Sequence, residues 1–114
     1  VLTQPKGLRA RGREVWVEVT RALDFDAHEL AVLTEACRAA DRLDALDRLL
    51  RREGLMVGGR THPALAEARQ TQIALARLLA ALRLPADLSK PDERPQRRHG
   101  ARGVYTNARF KVVS

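Results

Sequence analysis

Between Leu30 and Leu50 an apolar or small residue returns every three or four positions: Leu30, Leu33, Cys37, Ala40, Leu43, Leu46 and Leu50. Only a helix lines up that spacing on one side, and it lies close to the 3.5-residue repeat of helices packed lengthwise on a neighbour. The signals at both ends agree. Asp26, followed three residues later by Glu29, has the form of an N-cap with a reciprocal carboxylate, and Phe25 and Leu30 stand where a hydrophobic staple would close. Arg51 and Arg52 suit the negative end of the helix dipole, and Gly54 supplies a left-handed stop. Asp44–Arg48 and Asp47–Arg51 are acid-before-base pairs one turn apart. These signals predict a helix over residues 27–53, about 40 Å long at 1.5 Å per residue.

A second long helix is predicted over residues 63–83. Proline is favoured in the first turn, so His62-Pro63 reads as its start, with Thr61 or His62 as the cap. Leu84-Pro85 ends it, because the residue before a proline leaves the α region. Between the helices, Gly54-Leu55-Met56-Val57-Gly58-Gly59-Arg60-Thr61 reads as a short extended apolar run with a Gly58-Gly59 turn. This is not a phosphate-binding loop, since no Lys-Ser/Thr step follows the last glycine at the required spacing. The back half of the second long helix is apolar nearly all round: Ile73, Leu75, Leu78, Leu79 and Leu82 are interleaved with Ala74, Ala76, Ala80 and Ala81. One stripe suffices to pack on the first long helix. The rest needs another cover, either the N-terminal helix or, more economically, other copies of the chain. Ile73, Leu75, Leu78, Leu79 and Leu82 are therefore the candidate subunit contact.

Upstream, residues 1–7 contain Pro5 and Gly7 and read as a lead-in. Trp16, Val19 and Leu23, with Val15 and Gly12 beside them, predict a short helix over residues 8–23. Val15, Val17 and Val19 also alternate as a strand would, but a lone strand has no partner in this sequence. Trp16 reads as a core anchor rather than a base-stacking platform. The expected fold is therefore all-α: a short N-terminal helix on a long antiparallel hairpin, spanning 8–85, followed by a basic tail over 86–114.

The 114 residues suit a single small domain. No apolar run approaches the roughly 20 residues of a membrane span, and Val1–Lys6 is not followed by an apolar signal region, so an intracellular protein is expected. Cys37 is the one cysteine and lies on the apolar stripe, where a small buried hydrophobe is expected. Neither Cys37 nor the three histidines form a metal-ligand spacing, and no paired carboxylates or nucleophile–base set can be assembled, so no enzyme, metal or cofactor is expected.

The net charge of +7 is unevenly placed. Residues 1–16 hold four basic side chains against one acidic, residues 17–85 ten against ten, and residues 86–114 seven against three. Basic ends on a balanced middle suit contact with a polyanion, DNA or RNA, beyond mere solubility. The candidate phosphate contacts are Lys6, Arg9, Arg11, Arg13, Arg94, Arg97, Arg98 and Arg102. Near the C-terminus, Val104-Tyr105 and Phe110-Lys111-Val112-Val113 are short apolar patches. They suit docking on a neighbouring subunit, with strand addition or base stacking by Tyr105 or Phe110 as alternatives.

Taken together, Trp16, Leu23, Asp26, Leu30, Cys37, Ala40, Leu43, Gly54, His62-Pro63, Leu65, Arg69, Leu78-Leu79, Leu82, Leu84 and Pro85 form a pattern that resembles the helical small terminase subunits of tailed bacteriophages. The resemblance covers residues 8–85. It departs where that family carries glycine before a final Leu-Thr/Ser-Pro and arginine after it; this chain has Arg83-Leu84-Pro85 and then Ala86-Asp87-Leu88. The resemblance implies a non-catalytic component of a viral DNA-packaging motor in the host cytoplasm. Such subunits form rings, bind double-stranded phage DNA near the packaging start and regulate the terminase large subunit, which carries the ATPase and nuclease. The competing expectations are a protein-only scaffold or adaptor of phage head assembly, and an RNA-binding helical hairpin.

Overall fold

The computed structural model describes residues 2–84. The chain order is α1 (Ala10–Ala22), α2 (Ala27–Glu53), β1 (Met56–Val57), β2 (Arg60–Thr61) and α3 (Pro63–Leu82). The fold is mostly helical, as the periodicity predicts, with one two-stranded ribbon added between the long helices. Pro85 and the tail over 86–114, with Arg94, Arg97, Arg98 and Arg102, lie outside the described residues.

α2 is the spine on which both other helices pack. Its start is the expected capping box: Glu29 N–H donates to Asp26 Oδ1 at 2.8 Å, and Asp26 N–H donates to Glu29 Oε1 at 3.0 Å. Phe25 and Leu30 both pack against the same apolar cluster. Ala36, Cys37, Ala39 and Ala40 are all buried. At about 100° per residue those four positions sweep about 160° of the helix, wider than a single stripe, as a helix flanked by two neighbours requires. The Asp44–Arg48 pair forms, joined by Glu35–Arg38 and Arg11–Glu14, while Asp47–Arg51 does not.

α1 settles the helix-or-strand question. Gly12, Trp16, Val19 and Leu23 are buried, whereas Val17 is 40% exposed. A strand would have turned Val15, Val17 and Val19 to one side. The helix is shorter than the expected 8–23, since Arg9 precedes it in extended backbone and Leu23 follows it likewise.

Two apolar clusters hold the fold. At one end Leu8, Trp16, Val19, Leu33, Cys37 and Leu82 come together, so the last turn of α3 reaches the α1–α2 seam. At the other end Leu50 meets Ala64 and Ala68, flanked by Leu43, Leu46, Leu49 and Leu65. Small residues on α3 there let it lie close to α2.

The connector is a β-hairpin in which Met56 pairs with Thr61 and Val57 with Arg60. Gly58 and Gly59 have φ of +59° and +82°, the left-handed values that a two-residue hairpin turn needs at both central positions. Gly54 ends α2 with φ +85° but ψ 167°, so it is not the αL stop expected; the chain swings straight into extended backbone that only glycine tolerates. The left-handed cap lies instead at Arg83 (φ +54°, ψ +49°), so α3 closes one residue before the expected boundary. Leu55, Met56 and Val57 at the ribbon are 59%, 56% and 48% exposed.

Candidate nucleic-acid interface

The N-terminus of α1 has no cap of its own, because Arg9 makes no side-chain hydrogen bond to the helix. The cap comes from α2. Asp41 accepts from Arg9 N–H through Oδ2 and from Gly12 N–H through Oδ1, each at 2.6 Å. Two of the orphan donors of a helix start are thus satisfied by a carboxylate that also suits the positive end of the dipole. Gly12 makes this possible, since a Cβ there would collide with the Asp41 carboxylate and lie 2.8 Å from the Cys37 carbonyl oxygen. Leu8, 6% exposed, anchors the lead-in against the core.

This arrangement lays Lys6, Gly7 and Arg9 beside Arg38, Arg42, Ala45 and Arg48 of α2, and together with Asp41 and Asp44 they line one open groove. Positions 38, 42, 45 and 48 run along one side of α2 over about 15 Å. Of the residues expected to contact nucleic acid, Lys6 and Arg9 lie in this groove. Arg11 pairs with Glu14 at 3.0 Å, and Arg13 donates to the Leu8 carbonyl at 2.6 Å, a bond that holds the lead-in in place. All four are exposed. Arg38, Arg42 and Arg48 escaped the sequence reading because the middle of the chain is neutral on average. Arg38 and Arg42 stand one turn apart, whereas Arg48 lies only about 20° around the helix from Cys37, so the three are grouped by the lead-in packed beside them and not by period alone.

The candidate subunit contact divides. Ile73 is 47% exposed, and Leu75, Leu78 and Leu79 are half-buried. Leu82 is 1% exposed, within the cluster beside Trp16 and Leu33. Leu75 and Leu79 border an open crevice with Val15, Ala40 and Leu43.

The remaining chemistry-bearing residues have structural roles. His62 caps α3: its Nδ1 accepts from Ala64 N–H at 2.9 Å, which leaves the proton on Nε2, 2.7 Å from Glu53 Oε1. Both ring nitrogens are engaged, and the imidazole ties the end of α2 to the start of α3. Among the described residues no group of three or more His, Cys, Asp or Glu side chains is placed to hold a metal ion, and no helix is long and apolar enough to cross a membrane. Cys37 is wholly buried, and its thiol is pushed up from 9.0 to about 11, first by burial and then by the charge of Asp41. The folded protein therefore favours the neutral thiol, and this contribution to stability is lost as pH rises past about 9. At neutral pH Cys37 is therefore held as the unreactive thiol. An aromatic disulfide reagent should modify Cys37 at the rate at which the protein opens, and rapidly in denaturant; stoichiometric reaction of the native protein within seconds would contradict this.

Compared with protein-family models, curated proteins and solved structures, the chain finds no match.

Proposed function

We propose that this chain is a non-catalytic DNA-packaging subunit of the small-terminase type, which assembles into a ring, binds double-stranded DNA and regulates a large subunit that carries the ATPase and nuclease. The observation that carries the reading is the apolar surface of α3 that the other described residues leave uncovered. Ile73, Ala76 and Ala80 recur one turn apart on its exposed side, with Leu75, Leu78 and Leu79 half-covered beside them. α1 reaches the end of α3, at Leu82, but does not cover the stretch before it. Self-association between copies is the economical way to bury such a helix. The exposed cations of the lead-in and of α2 then remain available to phosphates. Of the residues that carry the resemblance to the phage family, Leu65, Arg69, Leu78, Leu79 and Leu82 lie on α3.

Light scattering at micromolar concentration should give a ring-sized mass. Ile73→Glu, which changes an exposed side chain and so leaves the protomer fold intact, should lower that mass to the monomer. A monomeric native chain would overturn the reading. Duplex DNA should be retained at low salt and released steeply as salt rises. An oligomer without salt-sensitive DNA retention would point to a protein-only scaffold, and preferential retention of RNA over duplex DNA to an RNA-binding hairpin.

A further inference from the structure

We infer that the groove between the lead-in and α2 is a track for the sugar–phosphate backbone of duplex DNA, with Lys6, Arg9, Arg38, Arg42 and Arg48 as its phosphate contacts. The inference rests on the DNA-binding reading above and assigns that role to the middle of the chain, which sequence averaging makes look neutral.

Three observations carry it. First, the cations of the groove are available. Lys6, Arg9 and Arg42 are exposed and make no side-chain ion pair among the described residues. Arg38 and Arg48 hold partners, Glu35 and Asp44, only through exposed pairs one helical turn apart. Pairs of that kind contribute little, and a phosphate exchanges readily for one. Second, of the two acidic residues that line the groove, Asp44 pairs with Arg48 and Asp41 is already occupied: both of its carboxylate oxygens accept backbone N–H groups of α1. Its charge is turned into the helix start, and the same bonds hold Lys6 and Arg9 alongside α2. Third, the lining suits a regular duplex backbone better than other polyanions. Among the described residues that line it there is no aromatic side chain on which an unpaired base could stack. Ala45 is the one apolar side chain among them, so they offer no pocket for the side chains of an acidic peptide. The stripe from Arg38 to Arg48, about 15 Å long, matches the rise of about four phosphates on one strand. Contacts of this kind position DNA without reading its sequence.

The test is the salt dependence of binding by the full chain to a duplex of arbitrary sequence. The variant Lys6→Gln/Arg38→Gln/Arg42→Gln is compared with Arg21→Gln/Arg69→Gln/Arg77→Gln, which removes the same charge elsewhere on the surface. All six side chains are exposed, and helix content and oligomer mass report that each variant is intact. The groove variant should lower the slope of log K against log salt by about 2–3 per protomer in contact, at about 0.9 per phosphate lost, while the other triple changes it by less than about 1. Equal slopes for the two triples, with native binding still steep, would overturn the groove assignment and leave DNA binding to the tail. No salt-dependent binding by the native chain would overturn the DNA reading itself. Polyglutamate competing as well as duplex DNA at equal charge would overturn the choice of DNA as occupant.

Discussion

Gly12→Ala will destabilise the protein, although alanine is the better helix former by about 1 kcal/mol. The added methyl would collide with the Asp41 carboxylate and press on the Cys37 carbonyl oxygen at 2.8 Å. The carbonyl belongs to the backbone of α2 and cannot rotate aside. Relief requires α1 to lift from α2 or Asp41 to leave its two N–H donors. Overpacking of this kind costs about 1–3 kcal/mol. With the cap strained as well, the upper end is expected, read as a lower urea midpoint at unchanged slope. Asp41→Ala should cost a similar amount, about 2–3 kcal/mol, because it leaves two helix-start donors without their charged acceptor. Asp41→Asn should rescue only part, since an amide turns one oxygen and one NH2 toward two donors. The double variant Gly12→Ala/Asp41→Ala should cost less than the sum, because both act on one contact. Gly12→Ala neutral or stabilising would show that the approach of α1 to α2 is not tight.

Trp16→Ala should be more damaging still, at about 3–5 kcal/mol. Trp16 is 5% exposed and packs with Leu8, Val19, Leu33, Cys37 and Leu82, a cluster to which α1, α2 and α3 all contribute. Its loss opens a cavity that the rigid seam between α1 and α2 cannot close. Since this is the sole tryptophan, its fluorescence reports directly: blue-shifted emission in the folded chain, weakly quenched by a soluble quencher, moving to the red on unfolding. Trp16→Phe should keep DNA retention, because a ring this covered cannot reach a base. Water-exposed emission from the native protein, or strong quenching by added duplex DNA, would overturn the core assignment and restore the stacking role.

Several features were legible before any coordinates because their physics is local. The Asp26–Glu29 capping box, the Gly58-Gly59 turn and the His62-Pro63 helix start each depend on residues within three or four positions of one another. The long helices were legible from period alone. Gly54 marks where α2 stops but not the conformation of the stop, because a glycine signals freedom of φ and says little about the direction the chain takes next. The candidate interface was only half legible. Lys6 and Arg9 stand out by their local charge excess, whereas Arg38, Arg42 and Arg48 alternate with acids along α2, and a running average cancels them. Packing separates what averaging merges: Asp41 is drawn under α1 while the arginines remain outside.

By itself the sequence determined an all-helical hairpin with a Trp-bearing helix before it, since apolar period, caps and breakers act within a turn or two. Only the tertiary structure decided that Asp41 caps a helix 29 residues away, that Gly12 is there for clearance, and that Leu82 belongs to the core while Ile73 does not. Those outcomes depend on which sides of three helices meet, and the period of a helix names its apolar side without naming the neighbour that will cover it.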